Sequence, residues 1–382
     1  MAIKVALKEL CTIEITDGTH KTPEYSDQGY IFLSSKNVTS EKIDWKNVMY
    51  IPESLHQELY QRLAPQKDDI LLAKNGTTGV AAIVDRDEVF DIYVSLALIR
   101  PNQKKVIPRY LLYAINSDST KRYFRSHLKG VGVPNLHLIH IRETPINVPN
   151  IQAQLQIVKK LDKVSDLIAK RRQQLDKLDT LVKARFVEMF MGEGYPQKNI
   201  DEVSLGKGEY GAQSASIEYT PNRPRYVRIT DINNDGTLNN DMAASINPTD
   251  DEQYRLSYGD FMFARMGATV GKTYAFIDGN QIFAGYLIRY RLNQEIINPR
   301  YLFWFTRTDE YWNWIKLNQN GAAQPGINAK KYGSLRIPVP PIEEQNAFAF
   351  FVEQTDKSKL IVKQSLEQLE TLKKSLMQQY FG

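Results

Sequence analysis

Apolar and polar positions follow the same succession of patterns twice along this chain. Short β-rich runs come first. IFLSS (31–35), DILLA (69–73), AAIV (81–84) and SLALIR (95–100) are punctuated by Gly, Pro, Asn and Asp. YVRIT (226–230), DFMFA (260–264), TYAFI (273–277) and AGYLIRY (284–290) repeat them. An aromatic, helix-like stretch closes each set, at 109–128 and again at 300–317.

A long helix is predicted after each aromatic stretch. Residues 151–190 contain no Pro or Gly. Leu161, Ile168, Leu175 and Val182 recur every seven residues, with Ile157, Val164 and Leu178 on a companion row. In the second copy Val352 and Leu366 hold one row, and Val362, Leu369 and Leu376 hold the other. This spacing predicts a coiled-coil-like seam. Arg171, Arg185, Thr355, Lys359 and Lys373 interrupt it, so a clean zipper is not expected. Pro149-Asn150 supplies an N-cap to the first helix. Pro341, Glu343 and Glu344 place a rigid start and acidic groups at the positive end of the second. Forty helical residues make a rod of roughly 60 Å.

The two copies match at an offset of 191 residues, half of the 382-residue chain. Asp69-Ile70 falls on Asp260-Phe261, Gly76 on Gly267, and PRYL (108–111) on PRYL (299–302). INVPNIQAQ (146–154) falls on IPVPPIEEQ (337–345), and from Pro108 onward no gap is needed. A period this long exceeds the roughly 20–50 residues of stacking repeats and marks two domain-sized modules. The expected organisation is a module over 1–150, a helix over 151–191, a second module over 192–341 and a helix over 342–382. The fold class is α+β, with the two helices most simply antiparallel and the halves related by a pseudo-two-fold repeat. A duplicated monomer of this kind mimics a two-fold dimer, which suits a target with two half-sites.

Charge refines this picture only a little. The net charge is +5, and most of the excess sits in 151–190, where 9 Lys and Arg face 5 Asp and Glu. The modules are near neutral, so charge alone does not identify a nucleic-acid binder. A single cysteine, Cys11, rules out an internal disulfide and fits a reducing cytoplasm. No apolar run approaches the roughly 18 residues of a membrane span, and the first residues lack a signal-peptide pattern.

Catalytic patterns are weak. GATVGKT (267–273) approaches a phosphate-binding loop but has three residues between its glycines where four are needed. Its counterpart GTTGVAA (76–82) has no Lys-Ser/Thr pair. His137 and His140 are three apart without a cysteine partner, and Asn328 and Lys331 replace them in the second copy, so no metal site is expected. What recurs at the offset is glycine, proline, apolar residues and polar loops, not catalytic groups. That points to a scaffold carrying variable readers, with no catalytic residues and no cofactor of its own.

The loops are the candidate contact surface. Lys74-Asn75-Gly76-Thr77-Thr78-Gly79 and Arg265-Met266-Gly267-Ala268-Thr269 each follow a strand and open on a basic residue. Glycine admits a close phosphate backbone, and a neighbouring hydroxyl or amide can donate to it. A second pair of loops carries Asn135 and His137 in one copy and Gln324 and Asn328 in the other. Asn, Gln, Arg and Lys can make bidentate contacts with base edges. Lys121, Arg122, Arg125 and Lys129, and Arg223, Arg225 and Arg228, form basic clusters able to hold phosphates or to be solvated faces.

With these residues assembled, the chain resembles the specificity (S) subunit of Type I DNA restriction–modification systems. DGTHKTPEY (17–25) is similar to a recurrent opening of that family's target-recognition domains, and INVPNIQAQ and IPVPPIEEQ resemble its junctions with the central helices. The second copy has YGAQSASIEY (210–219) in place of the opening motif. The resemblance implies two target-recognition domains spaced by an antiparallel helix pair, and a bipartite asymmetric site in double-stranded DNA. It implies two modification subunits that bind S-adenosylmethionine and methylate adenine N6, and restriction subunits that use ATP and Mg. The helix surface around Lys159, Lys160, Arg171 and Arg172, and around Lys357, Lys363 and Lys374, is expected to meet subunits or the DNA spacer. The competing reading is a coiled-coil interaction adaptor without a DNA role.

Overall fold

The computed structural model describes residues 3–39, 41–128, 134–192, 194–246, 252–319 and 325–382. The first half runs β1 (Ile3–Ala6), β2 (Thr16–Asp17), β3 (Tyr30–Leu33), β4 (Met49–Ile51), α1 (Glu53–Arg62), β5 (Ile70–Ala73), β6 (Ala81–Ile83), β7 (Phe90–Ile92) and β8 (Leu96–Ile99). It continues through α2 (Pro108–Asn116), α3 (Asp118–Ser126), α4 (Leu138–Arg142), β9 (Pro145–Val148) and the long α5 (Ile151–Phe190). The second half opens with β10 (Gln197–Asn199), β11 (Glu209–Tyr210), β12 (Ile217–Glu218), β13 (Arg225–Val227) and β14 (Ala244–Ser245). Then come β15 (Asp260–Ala264), β16 (Thr273–Ala275), β17 (Gln281–Phe283), β18 (Leu287–Arg291), α6 (Pro299–Phe305), α7 (Asp309–Asn318), α8 (Ala329–Gly333), β19 (Arg336–Pro338) and α9 (Ile342–Phe381).

The chain divides into two compact units, Met1–Gln173 with Lys363–Gly382, and Gln174–Val362. Each unit therefore contains part of both long helices. The sheet plans correspond. Unit 1 has an antiparallel sheet ordered β2-β8-β5-β6, a sheet β4-β3-β7 whose β3 and β7 are parallel, and a ribbon β1-β9. Unit 2 has β11-β18-β15-β16, then β12-β14-β13-β17 with β13 and β17 parallel, and a ribbon β10-β19.

The apolar runs explain the layering. Every residue of β5 and of β15 is buried. Successive side chains of a strand point to opposite faces. Ile70 and Leu72 accordingly enter one core and Leu71 and Ala73 another. Phe261 and Phe263 likewise separate from Met262 and Ala264. Fully burying such a side chain stabilises the fold by roughly 1.5–3 kcal/mol relative to exposure. The aspartate that opens DILLA and DFMFA fastens the preceding turn. Asp69 accepts from Gln66 N at 3.0 Å, and Asp260 from Ser257 N at 2.9 Å. Pro108 and Pro299 open α2 and α6, where the missing N–H is no loss.

The helices cap as their sequences predict. Asn150 Oδ1 accepts from Ala153 N at 2.9 Å, and Glu343 and Glu344 lie in the first turn of α9. Within unit 1, Leu161 shares a core with Phe381, while Arg172 pairs with Glu370 at 2.7 Å. Within unit 2, Phe186 packs on Phe348 and Lys359 pairs with Asp179 at 2.6 Å. Rising numbers on α5 meet falling numbers on α9 in both, so the segments run antiparallel in each unit. The polar interruptions of the seam are accommodated: buried Thr355 donates to Phe351 O at 2.9 Å, and Lys359 has its carboxylate. Among the described residues no helix is long and apolar enough to cross a membrane.

Candidate nucleic-acid interface

The structure brings the two predicted loops of each unit together by the same device. In unit 1 Asn75 and Asn135 form an isolated antiparallel bridge, and Leu136 N donates to Lys74 O at 2.9 Å. In unit 2 Met266 and Gly326 form the bridge, and Ile327 N donates to Arg265 O at 2.9 Å. All four positions shift by 191. Gly76 (φ 75°) and Gly267 (φ 67°) supply the left-handed turn residue of each first loop. The backbone frame is thus repeated while its side chains differ.

A third element joins the frame. After β2, Thr19 N donates to Ile92 O at 3.1 Å; after β11, Ala212 N donates to Phe283 O at 2.9 Å. The glycines before them, Gly18 and Gly211, pass so close to that neighbouring chain that an added Cβ would sit 1.9 Å from Ile92 O and 2.4 Å from Phe283 O. Asp17-Gly18-Thr19-His20 and Tyr210-Gly211-Ala212-Gln213 are therefore equivalent. Sequence reading missed this because the offset here is 193, shifted by small insertions upstream of Pro108. The glycine common to both was the available signal.

The predicted residues are placed as follows. Lys74 departs from the expectation of an exposed contact. It is 7 % exposed, and its ammonium donates to Asp17 Oδ2 at 2.6 Å, while His20 Nε2 lies 3.2 Å from Asp17 Oδ1. A lysine this deeply buried requires a paired carboxylate. Asn75 and Asn135 are half-buried, and their Oδ1 atoms are buried without a hydrogen-bond partner among the described residues. Thr77 is exposed, and Thr78 Oγ1 donates to Pro134 O at 3.3 Å, tying the loops. His137 is exposed at the start of α4. Arg122 and Arg125 are exposed on α3. Lys121 pairs with Glu41 at 3.4 Å and lines a cleft of about 570 Å³ with Arg109, Arg172 and Lys374. Lys129 lies outside the described residues.

In unit 2 Arg265 lies half-buried between two exposed tyrosines, its guanidinium carbon 4.9 Å from the Tyr210 ring centre and 5.7 Å from that of Tyr286. Its Nε donates to Gly285 O at 3.2 Å. Thr269 Oγ1 donates to Met266 O at 3.0 Å and shapes the turn. Asn328 caps α8 by accepting from Lys331 N at 2.9 Å. Gln324 lies outside the described residues. Arg225 and Arg228 hold the segment 239–242 in place. Arg225 donates to Asn239 O and Asn240 Oδ1, both at 2.7 Å; Arg228 pairs with buried Asp231 at 2.8 Å and donates to Met242 O at 2.6 Å.

GATVGKT forms the tight connection from β15 to β16. Lys272 Nζ donates to Ile232 O at 3.0 Å, and a strand follows instead of the helix a phosphate loop requires. Among the described residues no group of three or more His, Cys, Asp or Glu could hold a metal ion. The rings of His140 and His127 lie 4.6 Å apart, centre to centre, and are tilted at 44°.

Comparison with known proteins gives a consistent result. The model of the Type I restriction modification DNA specificity domain matches residues 3–179 and again 200–371. A protein of Methanocaldococcus jannaschii assigned as the type I restriction enzyme MjaX specificity subunit is 24 % identical over 386 residues, covering 91 % of this chain and 85 % of that one. The type I restriction enzyme EcoKI specificity subunit of Escherichia coli K12 is 20 % identical over 380 residues, covering 91 % and 81 %. The crystal structure of a Type-I restriction-modification S subunit from M. genitalium superposes with a TM-score of 0.60 at 14 % identity, covering 100 % of this chain and 96 % of that one.

Proposed function

We propose that this chain, which belongs to the Type I restriction modification DNA specificity family, reads a bipartite asymmetric DNA site with one half-site per unit. In this role it is a non-catalytic subunit. It positions two adenine-N6 methyltransferase subunits, which carry S-adenosylmethionine, and restriction subunits that use ATP and Mg. It works in the cytoplasm, where DNA is accessible and Cys11 stays reduced.

One observation carries the reading: each unit presents the same bridged loop pair, Asn75 with Asn135 and Met266 with Gly326, on unrelated side chains. A fixed backbone frame with exchangeable side chains is what two independent readers need, since backbone contacts set register and side chains specify bases. An adaptor needs no such division. In unit 1 we assign the reading to Asn75, Thr77, Thr78, Asn135 and His137. The exposed arginines Arg122 and Arg125 suit phosphates.

The experiment is a domain exchange. Replacing residues 1–150 with the corresponding segment of a relative of different specificity changes one half of the methylated site and leaves the other unchanged. A change in both halves overturns the assignment of one half-site to each unit.

A further inference from the structure

We infer that Arg265 is a specificity-determining residue that reads a guanine in the half-site of unit 2. The inference rests on the DNA-reading role proposed above. It starts from the contrast between two equivalent positions. In unit 1 the first loop opens on Lys74, whose charge is buried and neutralised by Asp17. In unit 2 the same loop opens on Arg265, and Tyr210 stands where Asp17 stands. Ser95, which is buried in unit 1, is replaced by the exposed Tyr286. Backbone bonds establish the match: Lys74 N donates to Ser95 O at 2.9 Å, and Arg265 N donates to Tyr286 O at 3.1 Å.

The replacement turns an internal ion pair into a half-buried cation between two exposed tyrosine rings. The guanidinium carbon lies 4.9 Å and 5.7 Å from the ring centres, and the Nε bond to Gly285 O ties the group to the backbone. Tyr210 is itself anchored, since its hydroxyl accepts from Ala329 N at 3.1 Å. Among the described residues Arg265 has no carboxylate partner, and its two terminal nitrogens make no hydrogen bond. A half-buried cation held rigid with two parallel donors uncommitted is preorganised for a planar pair of acceptors. Guanine O6 and N7 form such a pair in the major groove. Gln213 adjoins the site. Its amide nitrogen lies 2.2 Å from where a Cβ on residue 285 would be, so Gly285 makes room for a second base-reading group beside the arginine.

The test uses the intact system in its host, with variants introduced into the chain and the methylated sites mapped across the genome. The wild-type map must contain a G·C pair in the half-site that domain exchange assigns to unit 2. Arg265→Ala should relax that one position, lowering preference for guanine roughly 5- to 150-fold, with the other half-site unchanged. Arg265→Lys keeps the charge and loses the fork, so it should relax the same position. It also serves if Arg265→Ala fails to fold. Tyr286→Ser, which restores the residue of unit 1, should relax it partially.

Three results overturn the inference: a unit 2 half-site with no G·C pair, Arg265→Lys retaining the wild-type preference, or uniformly weaker methylation with every base preference kept. The last is the signature of a phosphate contact. The DNA-reading role fails separately, if the methylation map is unchanged when the whole chain is deleted.

Discussion

Gln154 and Gln345 make the same three hydrogen bonds at the same corner of their units. Each accepts a backbone N–H, from Ile107 at 2.8 Å and from Asn298 at 2.9 Å. Each donates to the carbonyl before its helix, Pro149 O and Pro340 O, both at 2.8 Å, and to a second carbonyl, Lys105 O at 3.2 Å and Ile296 O at 3.1 Å. Both side chains are fully buried. They lock the first turn of each long helix to the segment leading into α2 or α6. Gln154→Leu and Gln345→Leu leave a buried N–H and carbonyls unpaired. Each should destabilise its unit by about 2–4 kcal/mol, on the basis of about 1–3 kcal/mol for one such group. Urea unfolding monitored by circular dichroism measures it, and a loss below about 1 kcal/mol would show that the lock is not structural.

The Asp17–Lys74 pair yields a second expectation. Asp17→Ala strands a buried ammonium and should cost about 3–5 kcal/mol. Asp17→Leu with Lys74→Met removes both charges and should recover much of that loss. A double variant as unstable as the single one would contradict the assignment. Gly18→Ala and Gly211→Ala drive a Cβ into a neighbouring carbonyl that belongs to a strand and cannot retreat. Each should cost about 3 kcal/mol or more, at the upper end of overpacking.

The alkaline limb of stability has a fixed sign. Burial pushes the Cys11 thiol up to about 12, with Asp69 adding to the shift. Burial also pushes the Tyr110 and Tyr113 phenols up to about 12, and those of Tyr290 and Tyr301 further. These groups ionise earlier in the unfolded chain, near 8.5 for the thiol and near 10 for the phenols. Their contribution is complete below those values and is lost as pH rises towards 12. Stability measured by urea unfolding should therefore fall from about pH 8.5 and steeply beyond 10. Cys11→Ala should flatten the first part. At pH 8 the folded chain should react with iodoacetamide on the order of a thousandfold more slowly than the unfolded chain; equal rates would show that the thiol is not held neutral.

Lys272 offers a negative control. Its ammonium is engaged by Ile232 O within a strand connection. Lys272→Met should leave the methylation motif unchanged, and the purified chain should show no saturable binding of ATP by calorimetry. Binding abolished by this substitution would revive the phosphate-loop reading of 267–273.

Much of the fold was legible because its signals are local. The heptad rows and proline starts predict 40-residue helices, and the structure has Ile151–Phe190 and Ile342–Phe381. The runs DILLA and DFMFA predict the central strands β5 and β15. The paired loops were legible as glycine-marked turns, but not the bridges that join them, since Asn75 and Asn135 meet across 60 residues. The fate of individual cations was hidden for the same reason. Lys74 and Arg265 look alike in sequence, and the difference between a buried ion pair and a cation beside a tyrosine ring depends on Asp17 or Tyr210, more than 50 positions away. Arg225 and Arg228 read as a basic patch; in the structure both tie down the segment 239–242, through Asn239, Asn240 and Met242, and Arg228 also pairs with Asp231 three residues on.

The first measurement is a map of N6-methyladenine across the host genome, with and without this gene. Methylation at one split, asymmetric motif should be present with the gene and disappear on its deletion. If the modification subunits are expressed and the same map persists without the chain, the chain does not set the DNA sequence that is methylated.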